Sequence, residues 1–219
     1  MRAATLLAVV VCLCGAATAA GATRSTLVWI PSTDIQATQT WHLGIDDYFP
    51  SHEGASAPTD VGFTYGGERW EAGVDYFGGT DDPLAFNAKA LLAEETADGA
   101  SFALGIYGVG ADSDTTAYNV VYALASKTFK DARVTAGWFK GRRHLLGDDD
   151  SGFMLGVDAS LSEKWWGAVD FQGGDSAFGA TGIGAAYALT PDIGVLIGFV
   201  DFHDSALDDT ITTQLDVTF

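Results

Sequence analysis

Few residues of this sequence could carry out acid–base or nucleophilic chemistry, and they are scattered. The four histidines are His42, His52, His144 and His203. A hydrolytic site needs a base within hydrogen-bond reach of a serine or threonine, and the only local combination is His203 with Ser205 and a neighbouring aspartate, Asp201 or Asp204. Adjacent residues of one loop seldom assemble such a triad, because geometry rather than sequence proximity defines its members. We therefore predict that the protein is not an enzyme and uses no cofactor.

Aspartates form short runs that could be mistaken for metal sites. They recur at residues 46–47, 81–82, 112 and 114, 148–150 and 208–209. The run at 148–150 suggests Ca²⁺ ligands, but it lacks the spaced ligands and closing glutamate of a calcium-binding loop. We interpret these runs as solvated loop charges and predict no metal site.

Composition and the first residues indicate an exported protein. Acidic residues number 29 against 11 basic ones, for a net charge of −18, which disfavours nucleic acid as a partner. Residues 1–22 combine Arg2, an apolar stretch at 6–14 and small-residue cleavage candidates at 17–19 and 20–22, as in a signal peptide. A membrane anchor is the alternative, although the stretch is short for one. Both cysteines, Cys12 and Cys14, lie in this segment, so the mature chain would have no disulfide and no cysteine metal site.

The rest of the chain alternates apolar with polar or small residues in segments of about ten residues. In residues 59–65, for example, Val61, Phe63 and Tyr65 share one face. We count twelve segments: 39–49, 58–67, 69–78, 84–93, 100–110, 116–128, 131–140, 151–161, 164–173, 177–189, 192–202 and 210–219. This pattern predicts an all-β protein, a transmembrane antiparallel up-and-down β-barrel of about twelve strands over residues 39–219, with ten strands as the alternative. A soluble sandwich would need charged outward faces, which these segments lack.

The linkers and the aromatic residues give the barrel a direction. Short linkers at 66–68, 130–131, 162–164 and 190–192 alternate with longer ones at 50–57, 141–150 and 203–209, while 94–99 is a medium exception. Short turns belong on the periplasmic side and long loops outside. Aromatic belts are predicted at both membrane interfaces. The inner belt would hold Trp41, Trp70, Phe102, Trp165, Tyr187 and Phe219, and the outer belt Tyr48, Tyr76, Tyr118, Trp138, Phe153 and Phe171.

The last strand resembles that of a known class. Leu215, Val217 and Phe219 alternate with polar residues, and the sequence stops on the aromatic. With the export segment and the strand rhythm, the chain resembles bacterial outer-membrane β-barrel proteins of the porin-like kind. The resemblance implies an outer-membrane location, membrane lipid and lipopolysaccharide as surroundings, and Phe219 as an assembly signal for the barrel-assembly machinery. The basic cluster at 140–144 could contact lipopolysaccharide phosphates, although pairing with the aspartates at 148–150 is the interpretation we favour.

The strand register also predicts which charges face the lumen. Seven acids point inward, including Asp216, against three bases, including Lys127. Such an excess implies water or counterions rather than a fully packed interior. The predicted pore-lining residues are Asp46, Asp60, Glu71, Asp75, Lys89, Arg133, Asp158 and Asp170.

We therefore expect a narrow porin-like channel for small solutes or cations. A non-conducting structural or interaction barrel with a filled lumen is the first alternative, and an outer-membrane enzyme is the second. Residues 23–38 are apolar and then interrupted by Pro31, so they could form a periplasmic arm, an extra half-strand or a plug. Small residues on the inward faces of 177–189 and 192–202 would leave room for such an insertion, or would relieve barrel curvature.

Overall fold

A computed structural model describes residues 25–219, and the predicted signal peptide lies outside the described residues. Twelve strands and one helical turn follow in order: β1 (Trp41–Pro50), β2 (Asp60–Gly66), β3 (Trp70–Phe77), β4 (Leu84–Ala93), β5 (Ser101–Gly110), β6 (Ala117–Phe129), β7 (Ala132–Lys140), α1 (Arg143–Leu146), β8 (Ser151–Ser160), β9 (Trp165–Gln172), β10 (Ala180–Ala188), β11 (Ile193–Phe202) and β12 (Thr210–Thr218). No helix within this part of the chain is long and apolar enough to cross a membrane.

The strands form one closed antiparallel barrel. Each strand pairs with its sequence neighbours, and β1 closes the ring by pairing with β12. The predicted fold class is therefore confirmed, with twelve strands rather than ten. The largest boundary difference is at β10, which begins at Ala180 rather than at residue 177 because residues 173–179 turn sharply, with Gly174 at a φ of 100°.

The alternation of side chains separates an apolar outer face from a polar inner one. On β9, Ala168, Asp170 and Gln172 are buried, whereas Val169 and Phe171 are exposed. Large apolar side chains cover the outside, as Phe153 on β8 and Ile197 on β11 show with exposures of 62% and 61%. A barrel whose outward face is apolar and whose backbone groups are paired around the ring suits a lipid bilayer.

The two ends of the barrel differ as the linker lengths predict. One end has the turns 67–69, 94–100, 130–131, 161–164 and 189–192, and the other has the loops 51–59, 78–83, 111–116, 141–150, 173–179 and 203–209. Both chain termini of the barrel lie at the short-turn end, where the Trp41 amide donates to the Phe219 carbonyl at 2.7 Å. The longer turn at 94–100 is held by Lys127, whose ammonium donates to the carbonyls of Thr96, Ala97 and Gly99.

Aromatic pairs mark both ends of the outer face, with two corrections to the predicted belts. Trp165 lies 4.9 Å from Tyr187 at the short-turn end, and Trp138 lies 4.6 Å from Phe153 at the long-loop end. Tyr48 and Tyr118 were predicted in the outer belt but face the interior, where both line a cavity. Tyr48 occupies the same face of β1 as Asp46, because residues two apart in a strand point the same way.

Candidate functional site

The chain that precedes β1 runs inside the barrel. We call residues 25–40 the luminal segment. Its first part folds back on itself: the Leu27 amide donates to the Ile30 carbonyl at 2.8 Å, and the Ser32 amide donates to the Ser25 carbonyl at 2.9 Å. Leu27, Val28 and Ile30, at the tip of this fold, are almost fully buried. These apolar side chains join a hydrophobic core inside the barrel, to which inward residues such as Phe139, Met154 and Leu196 also belong.

Asp170 on β9 holds the tip of the luminal segment. Its Oδ2 accepts hydrogen bonds from the backbone amides of Val28, Trp29 and Ile30 at 2.8, 2.7 and 3.1 Å. From β12, Gln214 donates through Nε2 to the Val28 carbonyl at 2.8 Å. The turn leaves these backbone groups without partners of their own, and unpaired buried polar groups are costly. The two inward side chains therefore anchor the turn from different strands.

Glycines in the barrel wall make the space for this turn. A β-carbon placed at Gly182 would lie 3.0 Å from the Cβ of Val28, and one at Gly184 would lie 3.1 Å from its Cγ2. At Gly198 on β11 the Cγ1 of Val28 would be 3.2 Å away. The small inward residues of β10 and β11 therefore allow a close approach of the luminal segment, one of the two roles considered for them.

Trp29 connects the luminal segment to the long-loop end. Its Nε1 donates to the carbonyl of Phe178, in the loop 173–179, at 2.9 Å, and its ring packs edge-on against Phe202 at 5.2 Å. The Phe178 ring in turn lies 5.4 Å from Tyr107 and 4.8 Å from Tyr118. An external loop and the luminal segment thus meet within the barrel.

Three ion pairs lie beside the luminal segment. Lys89 on β4 lies 3.1 Å from Glu71 on β3, and it also donates to the Ser25 carbonyl at 2.9 Å. The other Glu71 oxygen accepts the Gln36 amide at 2.6 Å. Arg133 on β7 pairs with Asp158 on β8 at 3.0 Å and with Asp34 of the segment at 2.5 Å.

Beside the luminal segment, a cavity of about 430 Å³ remains along the wall formed by β12 and β1 to β6. Asp46, Asp60 and Asp75 line it. Asp46 lies directly opposite Asp60 in the β1–β2 register, and Asp75 lies opposite Gly62, one diagonal step from Asp60. Within residues 25–219, none of the three has a cationic partner, although Asn87 donates to both oxygens of Asp75 at 2.9 and 2.7 Å.

The predicted pore-lining residues thus divide into two groups. Asp46, Asp60, Glu71, Asp75 and Lys89 line the cavity. Arg133 and Asp170 also point inward, but they bind the luminal segment, and Asp158 pairs with Arg133. Their predicted role in a permeation path stays a prediction for all eight residues.

Several residues of the site were not identified from the sequence. Trp29, Phe178, Asn87 and Gln214 each contribute a contact described above. The apolar residues at 27–30, which belong to no alternating strand, were the one available signal for a buried segment. Nothing in the local pattern around Phe178 or Asn87 indicated their partners, because these lie on elements distant in sequence.

The loops at the long-loop end pair their charges locally. Lys140 lies 2.6 Å from Asp150, Arg143 pairs with Asp148, and His144 lies 3.0 Å from Asp114. Backbone amides that hydrogen-bond to Asp112 lower the pKa of its carboxyl. In the described part of the chain, no three histidine or acidic side chains converge on a possible metal ion.

The candidate hydrolytic triad is not assembled. The two ring nitrogens of His203 lie 3.2 Å from the Thr181 hydroxyl and 3.2 Å from the Gly174 carbonyl, not beside Ser205. These contacts connect His203 to β10 and to the loop 173–179. His203 is therefore placed as a structural residue of the long-loop end.

Comparison with known proteins identifies the fold. No protein-family model and no curated protein matches the sequence. Among solved structures, the chain is similar to a KdgM porin, with 7% identity and a TM-score of 0.51 over 82% of this chain and 98% of the porin. It is also similar to a membrane protein from a study of in-meso crystallization, with 11% identity and a TM-score of 0.50 over 84% of this chain and 83% of the other. An outer membrane channel from Pseudomonas putida F1 gives a TM-score of 0.46 at 9% identity over 84% of this chain and 97% of the channel. The chain thus has the fold of a porin-like outer-membrane β-barrel.

Proposed function

We propose that this protein is a narrow outer-membrane channel for small solutes, with a preference for cations. The observation that carries the proposal is the cavity that the luminal segment leaves free, with Asp46 and Asp60 in its wall and no cationic partner for either within residues 25–219. A filled structural barrel would pair its inward charges, because an unpaired buried charge is costly. Unpaired acids beside open space imply water and counterions.

Three of the remaining luminal acids have basic partners, so the negative sign of the cavity comes from the three unpaired acids in its wall. Glu71 is compensated by Lys89, Asp158 by Arg133, and Asp216 has His42 at 2.9 Å. The three unpaired acids lie on adjacent strands between low-dielectric walls, which focus their field and raise the local concentration of cations. At about 0.15 M salt, screening acts over roughly 8 Å, so charges that line the path count most.

The alternative function is a non-conducting barrel whose lumen the luminal segment closes. The observation in its favour is the buried tip at residues 27–30, which fills one side of the interior. The solved structures that share the fold include channels, and a barrel of twelve strands is wide enough to hold both a segment and a water path. We therefore place the closed barrel second and the enzyme third.

The same proposal includes the route to the membrane. We infer removal of residues 1–22 on export, recognition of Phe219 by the barrel-assembly machinery, and contact of the outer loops with lipopolysaccharide. Insertion into lipid is supported by the exposed apolar face of the barrel and by the position of Phe219, which directly follows β12 and is exposed. Intact-mass measurement of membrane-extracted protein tests the processing step: the mature chain should lack about the first 19–22 residues.

Planar-bilayer recording of the purified, refolded protein tests the channel. Stable single-channel steps are expected, and reversal potentials under a KCl gradient should show cation preference. The double variant Asp60→Asn with Asp75→Asn should weaken that preference, most visibly at low salt. The control is Asp47→Asn, which neutralises one aspartate on the outward face of β1, where Asp47 accepts the Thr59 hydroxyl. Absence of conductance would favour the closed barrel, and anion preference would contradict the charge argument.

A further inference from the structure

We propose that the cavity beside the luminal segment binds small aliphatic diamines, which are the substrate class of the channel. This inference rests on the proposed function, since it names what the site of that channel would select. The cavity measures about 430 Å³, within the range of roughly 300–1,000 Å³ that is typical of small-molecule sites. Its lining combines a carboxylate wall with an aromatic one.

The carboxylate wall is extended rather than convergent. Asp216, Asp46, Asp60 and Asp75 lie on the neighbouring strands β12, β1, β2 and β3. Neighbouring strands are about 4.8 Å apart, so these acids form a row across the wall. Among the described residues, no three acidic or histidine side chains are placed to hold a single metal ion. A linear ligand with a positive charge at each end matches such a row better than one compact ion does.

Buried carboxylate oxygens supply a second and independent observation. Asp216 lines the cavity with only 8% of the residue exposed. Its Oδ1 contacts His42 at 2.9 Å, and its Oδ2 has no hydrogen-bond partner among residues 25–219. The Oδ1 of Asp60 is likewise buried without a partner in the described chain. A buried acceptor that the protein leaves unsatisfied is costly. Ammonium groups, with three donors each, are suited to such acceptors.

The aromatic wall accounts for the preference for an organic cation over a hydrated metal ion. Trp29, Tyr48, Tyr107 and Phe178 line the same cavity. Aromatic faces attract ammonium groups through the ring quadrupole and also pack against methylene groups. Lys89 is the one lysine or arginine in the lining of the cavity. Its ammonium group pairs with Glu71 and donates a hydrogen bond to the Ser25 carbonyl. A bound dication therefore meets both carboxylates and aromatic rings within one cavity.

Isothermal titration calorimetry on the detergent-solubilised mature protein tests the site without requiring conduction. The probes are the diamine putrescine, the monoamine butylamine and the uncharged diol butanediol, which have the same carbon chain. Putrescine should bind at least about tenfold more tightly than butylamine, the difference expected for one further partly buried charge pair. Butanediol should give no measurable binding.

Variants locate the binding. Asp46→Asn and Asp60→Asn should each weaken putrescine binding about tenfold, whereas Asp47→Asn, on the outward face of the same strand, should leave it unchanged. Tyr48→Leu should weaken both amines, because it removes a ring without changing charge. Circular dichroism, and a comparison of the gel migration of heated and unheated samples, check that the barrel of each variant is intact.

The failures of the two proposals are distinguishable. Conductance with equal affinity for putrescine and butylamine would overturn the diamine site and leave the channel standing. Putrescine binding that Asp60→Asn abolishes, in a protein without conductance, would support the site and overturn the channel. Binding that Asp47→Asn weakens as much as Asp46→Asn would also overturn the site, because it would place the amine outside the cavity.

Discussion

Replacing Asp170 with alanine should release the tip of the luminal segment. One carboxylate oxygen accepts three backbone amides there, at 2.7 to 3.1 Å, and Asp170 is 1% exposed. A hydrogen bond to a charged group contributes about 1.5–3 kcal/mol, and bonds to a single acceptor are not additive. Water reaches the amides once the tip moves, which recovers part of the loss. A net cost of about 2–4 kcal/mol to the seated position follows.

Hydrogen–deuterium exchange read by mass spectrometry measures this cost directly. A cost of about 2–4 kcal/mol corresponds to roughly 30- to 900-fold faster exchange at Val28, Trp29 and Ile30 if exchange follows opening of the tip. Single-channel recording of the same variant should show a larger or more variable conductance, because the tip occupies the lumen. Asp170→Asn keeps an acceptor but loses the charge, so its effect should be intermediate.

The matched control is Asp175→Asn, which removes one negative charge from the exposed loop between β9 and β10. It should leave both exchange and conductance unchanged. Wild-type exchange rates at residues 28–30 in the Asp170→Ala variant, with an intact barrel, would refute the anchoring argument. Equal effects of Asp175→Asn and Asp170→Ala would show that charge at the long-loop end, rather than the hydrogen bonds, controls the segment.

Three further changes test other parts of the structure. Trp29→Ala removes the hydrogen bond to Phe178 and a partly buried ring, at a cost of up to about 3–5 kcal/mol, and should raise conductance while the barrel still assembles. Leu215→Arg places a charge on the lipid face of β12, at roughly 2–4 kcal/mol, and should impair assembly on refolding into vesicles, whereas Gln214→Arg faces the interior and should only displace the segment. Burial and then repulsion by Asp201 raise the pKa of Asp209, so the folded state binds more protons than the unfolded state and stability falls as pH rises above the ordinary aspartate range. Asp209→Asn should therefore raise the thermal midpoint at neutral pH and give no gain below about pH 3.9; a gain of equal size at both pH values would contradict this sign.

The strands could be predicted because each is specified locally. Alternation along β2 or β9 depends on neighbouring residues of one segment, and a barrel repeats the same outward and inward rule at every strand. The inward positions of Asp60 and Asp75 followed from that register. Tyr48 and Tyr118 were misplaced because each was assigned to the membrane interface from its position near a strand end. The alternation of inward and outward residues along the strand, which puts Tyr48 on the same face as Asp46, was not applied to them.

The interior arrangement could not be predicted because it depends on contacts between distant elements. Asp170 lies 142 residues from Val28, and Trp29 lies 149 residues from Phe178. Inward acids look alike in a strand pattern, whether they accept backbone amides or line open space. The position of the luminal segment gives the Oδ2 of Asp170 three backbone donors, and Asp60 has no such donors among the described residues. The Oδ1 atom of each acid is buried without a partner in the described chain.

That difference links the luminal segment to selectivity as well as to width. In the seated position the segment donates to the Oδ2 of Asp170 and brings its own acid, Asp34, to Arg133. If the tip leaves, Asp170 becomes an uncompensated acid beside the widened path, while Arg133 keeps Asp158 as its partner. A native channel that opens in this way becomes wider and exposes the Asp170 carboxylate to the path, which favours cations. The Asp170→Ala variant opens without this carboxylate. It should therefore conduct more than the wild-type channel with the tip seated. Its discrimination between K⁺ and Cl⁻ should be weaker than that of the wild-type channel during high-conductance events. Equal selectivity of the two at matched conductance would show that Asp170 does not face the path when the tip is displaced.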